Sequence, residues 1–194
     1  MKEKNFYAML SRMRYINRWG LMRNTLIENI SEHSLDVAIL AHALAVIRNV
    51  CFQGGINAER VAVLALFHDC TEIITGDMPT PVKYYAPEIR EAYHEVETAA
   101  KNSLLKGLPA LFQEIYEPLL LETEEEKELW RLVKAADKLS ALIKCMEERK
   151  MGNDDFRQAE EATLMAIKEM GIPEVDYFIE EFLPAYFLTL DEQT

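Results

Sequence analysis

The chain has 194 residues, 49% of them hydrophobic, which suits one domain with a sizeable core. Its 21 Lys and Arg against 33 Asp and Glu leave a net charge of −12. That balance argues against a protein that tracks a nucleic-acid backbone, and it means that any phosphate-bearing substrate needs a local cation.

The opening MKEKNFYAML has neither a long apolar core nor a small-residue cleavage site, so no secretory signal is read there and a cytoplasmic protein is expected. Helical periodicity then runs almost throughout, with strand alternation almost nowhere. The predicted helices cover 4–15, 30–50, 57–74, 87–105, 109–120, 124–150, 154–170 and 174–187, giving an all-α bundle in a single domain, 1–194. Asn29 with Glu32 reads as a capping box, Asn57 as an N-cap, and Gly152 and Gly171 as helix stops. Gly54-Gly55, Gly76 and Pro79 to Pro81 read as loops, and the acidic run 122–128 as the N-terminus of the long helix. The apolar stretches LDVAILAHALAVI and VAVLALF are too short, or too interrupted by Asp36 and His42, to cross a membrane. Cys51, Cys70 and Cys145 are widely spaced with no CxxC, which fits buried or half-buried thiols in a reducing compartment.

Four polar residues interrupt the apolar faces of these helices. His33 opens the stripe Val37, Leu40, Leu44 and Ile47, while His42 falls on the far side of the same helix. His68 shares a face with Val61, Leu64 and Ala65, Glu72 stands one turn beyond it, and Asp69 is displaced by about 100°. Asp137 lies on the stripe Leu129, Val133, Ala136 and Ser140, where an unpaired carboxylate costs several kcal/mol and needs a cation or donors. Pairing with Lys134 or Lys138 is the simplest solution for Asp137, and a lone inward histidine is most often a hydrogen-bonded core residue. Together, two histidines and two aspartates facing one core match the mixed nitrogen and oxygen set that divalent metals accept.

The order His33, His68-Asp69, Asp137 on separate helices resembles the HD-domain metal-dependent phosphohydrolases. INRWGLMRN, ENISEHSL, FHDCTEIITGDMPTPVKYY, KAADKLSALIKCMEE and VDYF resemble, from end to end of the chain, the bacterial 5′-deoxynucleotidases of the YfbR type. Cys70 stands where that pattern has a small residue such as Ala. The resemblance implies hydrolysis of deoxyribonucleoside 5′-monophosphates, with tolerance of several bases, by a homodimer holding one divalent ion such as cobalt or manganese at His33, His68, Asp69 and Asp137. It also implies that Glu72 prepares the attacking water and that Arg18 holds the phosphate. Trp19 is then expected to pack on the sugar and exclude a 2′-hydroxyl, and Asp77 to accept from the 3′-hydroxyl. Met78, Pro79 and Thr80 complete the substrate contacts with His33, Asp69 and Asp137. Two alternatives keep the fold: a nucleotide-sensing protein without turnover, and a phosphohydrolase of another nucleotide such as a deoxynucleoside triphosphate. The absence of Lys and Arg between residues 62 and 82 favours a monophosphate over a triphosphate.

Overall fold

In the computed structural model, residues 4–83 and 85–193 are described, with the backbone alone for Leu190. Tyr84, part of the GDMPTPVKYY stretch, lies outside the described residues. Ten α-helices follow in order: α1 Phe6–Leu10, α2 Ile30–Cys51, α3 Ala58–Phe67, α4 Glu72–Thr75, α5 Thr80–Lys83, α6 Pro87–Lys106, α7 Ala110–Leu120, α8 Lys127–Lys150, α9 Arg157–Met170 and α10 Pro173–Glu181. Among the described residues the sole β feature is an isolated bridge between Asn17 and Asn29.

Local chemistry accounts for several helix ends. Asn29 Oδ1 accepts from the Ser31 and Glu32 N–H groups at 3.0 and 3.1 Å, and Glu32 reaches back to the Asn29 N–H at 3.4 Å, so the predicted capping box starts α2. Asn57 Oδ1 accepts from the Arg60 N–H at 2.9 Å and starts α3. Gly171 closes α9 with φ of 57°, a left-handed conformation that favours glycine.

The core is built where α2, α3 and α8 meet. Val37, Ala41, Leu44, Val61, Leu64, Leu132, Ala136 and Leu139 are buried there, with Val175 and Phe178 of α10 closing one side. A second cluster joins Phe6, Met13 and Ile30 to Cys70, Ile73, Leu104, Leu105, Leu108 and Leu120. By length and composition alone α2 is enough to cross a membrane, which corrects the reading that Asp36 and His42 interrupt it too much. Both of those residues are exposed on its outer side, and its opposite face is packed against α3 and α8.

Other boundaries differ from the periodicity. The helix expected over 57–74 stops at Phe67, runs through a tight turn, and restarts as one turn at Glu72. The cause is a switch to i→i−3 bonding: N–H groups of His68, Cys70 and Glu72 donate to the carbonyls of Ala65, Phe67 and Asp69 at 3.4, 3.1 and 3.0 Å. Pro81 lies inside the short α5 and not in a loop, because the N–H groups of Val82 and Lys83 both reach the Pro79 carbonyl. Most of the acidic run 122–128 precedes α8, where Glu122 pairs with Lys134 at 2.6 Å and Glu126 with Arg60 at 2.6 Å. The C-terminal helix ends at Glu181 and continues as a 3-10 turn, Leu183–Phe187, because Pro184 has no N–H to extend α10. Cys70 and Cys145 are buried as expected, whereas Cys51 is exposed at the end of α2.

Candidate metal centre

A loop between the first helical segment and α2 forms one wall of the site. Its neck is closed by the Arg18 N–H donating to the Glu28 carbonyl at 2.9 Å and the Ile30 N–H donating to the Ile16 carbonyl at 3.0 Å. Arg18, Trp19 and Glu28 thus leave the neck side by side. α2 brings His33, the turn after α3 brings His68 and Asp69, and α8 brings Asp137 from more than one hundred residues away.

One ligand atom from each of His33, His68, Asp69 and Asp137 lies within 4.8 Å of the others, a set that could hold a metal ion. His33 Nε2 stands 3.0 Å from Asp137 Oδ1 and 3.5 Å from Asp69 Oδ2, and His68 Nε2 stands 3.2 Å from Asp69 Oδ2. The tight turn lets the adjacent His68 and Asp69 converge although a regular helix would separate them by about 100°. His68 donates its Nδ1–H to the Ala65 carbonyl at 2.7 Å, leaving the Nε2 lone pair pointed into the cluster. That Nε2, and the Glu72 Oε2, are buried without a hydrogen-bond partner.

The chemistry of this donor set fits a divalent transition metal. Two imidazole nitrogens and two carboxylate oxygens are the mixed ligands such ions accept, and negative charge is in excess. Arg18 is the guanidinium among four carboxylates, 3.1 Å from Asp69, 3.6 Å from Glu28, 3.9 Å from Asp137 and 4.0 Å from Asp77. Against the cost of burial, His68, His33 and Arg18 hold Asp69 well below the usual carboxylate range. Burial, reinforced by Asp69 and Asp77, pushes Glu72 up to about 9. Burial alone would depress His33, but its hydrogen bonds to Asp137 and Glu28 outweigh it and raise the ring to about 9.

A pH dependence follows. A proton held by His33 up to about pH 9 must leave before the ring can bind a metal, so affinity is expected to rise roughly tenfold per pH unit from about pH 6 and to level off above about 9. Calorimetric manganese titrations at several pH values check it, and an affinity unchanged between about pH 6 and 8 contradicts it.

The structure corrects two points about Asp137. Its side chain keeps 39% exposure, so it reaches solvent and is not sealed in the core. Its partners are His33 and Arg18, while Lys134 turns away to Glu122. Trp19 adopts φ of 61°, a region that costs a non-glycine residue about 1–3 kcal/mol. Asp77 Oδ2 accepts from its backbone N–H at 3.2 Å, Glu28 Oε2 accepts from its Nε1–H at 2.7 Å, and its ring leans on Phe156 at 5.4 Å. Met78 and Pro79 are half-buried and Thr80 exposed in the loop that follows Asp77. His42 and His94 are exposed and stand apart from the cluster. Glu28 opens the ENISEHSL stretch, yet the sequence assigns it no role, because it lies in an aperiodic loop and its partners are distant or out of register.

An all-helical bundle that gathers a histidine, a His-Asp pair and a distant aspartate defines an HD-domain phosphohydrolase. An HD-domain phosphohydrolase from Listeria innocua superposes with a TM-score of 0.80 at 28% identity, over 97% of this chain and 91% of that one. A cyanophage S-2L HD phosphohydrolase, bound in its own structure to dA and one catalytic Zn2+ ion, shares the fold with a TM-score of 0.67 at 21% identity, over 91% of this chain and 95% of that one. The sequence profile of the 5′-deoxynucleotidase YfbR-like family matches residues 5–186, and the chain belongs to that family. A 5′-deoxynucleotidase of Vibrio vulnificus is 50% identical over 99% of both chains, and the 5′-deoxynucleotidase YfbR of Escherichia coli is 49% identical over 99% of this chain and 96% of that one. Neither the sensing nor the triphosphate alternative finds support among these relatives.

Proposed function

We propose that this pocket removes phosphate from deoxyribonucleoside 5′-monophosphates, as a 5′-deoxynucleotidase, with one divalent ion held by His33, His68, Asp69 and Asp137. The observation that carries the reading is the convergence of those four donors beside a half-buried arginine and an unpartnered buried carboxyl oxygen. When bound, the ion supplies Lewis acidity and a nucleophile from water at neutral pH. Cobalt or manganese suits this donor set, with availability deciding between them and other transition metals.

The chain's own residues do the rest. Arg18 offers its guanidinium to the phosphate oxygens and offsets charge as it develops, in a protein whose overall charge repels the substrate. Glu72 takes the proton of the attacking water. Its pKa, pushed to about 9 by burial and by Asp69 and Asp77, falls when positive charge is added beside it, towards the range in which a base works at neutral pH. Trp19, fixed at backbone and indole, packs against the sugar and leaves no room for a 2′-hydroxyl. Asp77 spends one oxygen on the Trp19 N–H and keeps the other for the 3′-hydroxyl. Met78, Pro79 and Thr80 border the same space, and no dedicated base-reading set accompanies them. A cytoplasmic homodimer completes the proposal, supported by exposed Leu111, Phe112 and Ile115 on α7 as surface for a second copy.

Metal-stripped protein reloaded with manganese or cobalt is expected to release phosphate from deoxyadenosine 5′-monophosphate, and not from adenosine 5′-monophosphate or deoxyadenosine 3′-monophosphate. Equal release from all three removes sugar selection by Trp19 and Asp77, and release from none removes the deoxynucleotidase reading.

A further inference from the structure

We infer that Glu28 is a positioning residue that serves both halves of the site, one carboxylate oxygen setting the tautomer of His33 and the other holding the Trp19 indole. Glu28 sits one residue before the Asn29 cap with 13% of its side chain exposed. Its Oε1 lies 3.3 Å from His33 Nδ1. Its Oε2 accepts from Trp19 Nε1–H at 2.7 Å, with Arg18 Nε at 3.6 Å. Both ring nitrogens face carboxylates, Nε2 facing Asp137 Oδ1 at 3.0 Å, so once Nε2 is given to a metal the one remaining ring proton sits on Nδ1, where the Glu28 carboxylate, which can only accept, holds it. That tautomer is the one a metal ligand acting through Nε2 requires. Ser140 Oγ, 3.3 Å from the same Nδ1, is a hydroxyl and adapts as donor or acceptor.

The amide isostere separates this role from shape. In Glu28→Gln, the indole N–H and the guanidinium both demand the amide oxygen on their side, which turns the NH2 towards His33 Nδ1. An amide that donates to Nδ1 moves the imidazole proton to Nε2, the atom the metal needs. Glu28→Ala frees the Nδ1–H to donate to Ser140 Oγ, but it strips Trp19 of its acceptor. The two substitutions therefore weight their damage differently: the amide damages metal binding most and spares the indole, and the truncation releases the indole and lowers metal binding less.

The experiment is calorimetric titration of apo wild type, Glu28→Gln and Glu28→Ala with manganese, followed by kcat/KM for deoxyadenosine and adenosine 5′-monophosphates at saturating metal. Manganese affinity is expected to fall about 100-fold in Glu28→Gln and about tenfold in Glu28→Ala. The preference for the deoxy substrate is expected to survive in Glu28→Gln and to drop about tenfold in Glu28→Ala, as the Trp19 ring loses its placement. Affinity in Glu28→Gln equal to or above that in Glu28→Ala is the order a shape-filling role produces, and it overturns the inference. A reading independent of either variant's folding is the ring 15N shifts of His33 in zinc-loaded wild type, where a protonated Nδ1 is expected and a bare one overturns the inference. The sugar arm rests on the deoxynucleotidase reading. If wild type releases no phosphate from deoxyadenosine 5′-monophosphate, that reading falls, while the manganese affinities and the 15N shifts still decide the role of Glu28.

Discussion

Glu72→Ala is expected to keep its metal and lose its turnover, with kcat lower by about 10²–10⁴-fold. Glu72 lies outside the four-residue ligand set, starts its own one-turn helix, and presents a buried Oε2 with no hydrogen-bond partner. In the proposed mechanism that carboxyl takes the proton of the attacking water once added positive charge has lowered its pKa from about 9. Asp69→Ala and Asp137→Ala are expected to behave differently, losing metal and activity together, since each removes one of four convergent donors. Metal content by elemental analysis, set beside single-turnover phosphate release, separates the two classes. Equal metal loss in all three variants would move Glu72 from proton transfer to coordination.

Glu148→Ala is expected to destabilise the fold by about 3–5 kcal/mol, because it strands a buried charge. The Glu148 side chain is fully buried and bonds to Lys144, itself 8% exposed, one turn earlier on α8. Its oxygens also accept from the N–H groups of Thr25 and Leu26 at 2.9 and 3.1 Å and from Asn153 Nδ2 at 2.8 Å. Lys144 in turn donates to the Leu26 carbonyl at 2.6 Å. One buried ion pair thus clamps to α8 the loop that carries Arg18, Trp19 and Glu28. Thermal unfolding should register the loss as a fall of about 10 °C in Tm for a chain of this size. Replacing both partners by apolar residues is expected to recover much of it, because no charge is then stranded. A single variant within about 1 kcal/mol of wild type would remove the clamp from the account of stability.

The same pair sets an acid limit. Against burial, Lys144, Asn153 and the Leu26 and Thr25 amides hold the Glu148 carboxyl down at about 2, below its ordinary value of 4.5. A depressed carboxyl stabilises the fold above its unfolded pKa, and the contribution is lost as pH falls from that value through the folded one. Unfolding scans below about pH 5 should show wild type and Glu148→Ala converging as the wild type loses this advantage.

Much of the site was legible in the chain itself. An apolar stripe that begins with His33, or that carries Asp137 between Ala136 and Ser140, announces a polar group aimed inward, because a helix repeats its face every three or four residues. Caps were legible for a similar reason: Asn29, Asn57 and Gly171 act on backbone groups within a few positions. The motifs around Arg18, His68-Asp69 and Asp77 carried the family resemblance, and the family profile bears it out.

Tertiary structure decided the rest, and the reason is separation along the chain. His33 meets Asp137 across 104 positions, and Thr25 meets Glu148 across 123. No local period encodes such pairs, so the pattern offers Asp137 its neighbouring lysines, whereas its partners are a histidine and an arginine from other elements. The break after Phe67 likewise follows from how the turn packs, since the apolar pattern runs on unbroken while the hydrogen bonding tightens beneath it. Glu28 and the Lys144–Glu148 clamp acquire their meaning only once a closed loop is folded onto α8. What the sequence determined was which helices form and which faces carry the donors; what the folded chain alone decided was how those donors are oriented, because their orientation depends on partners brought from far along the chain.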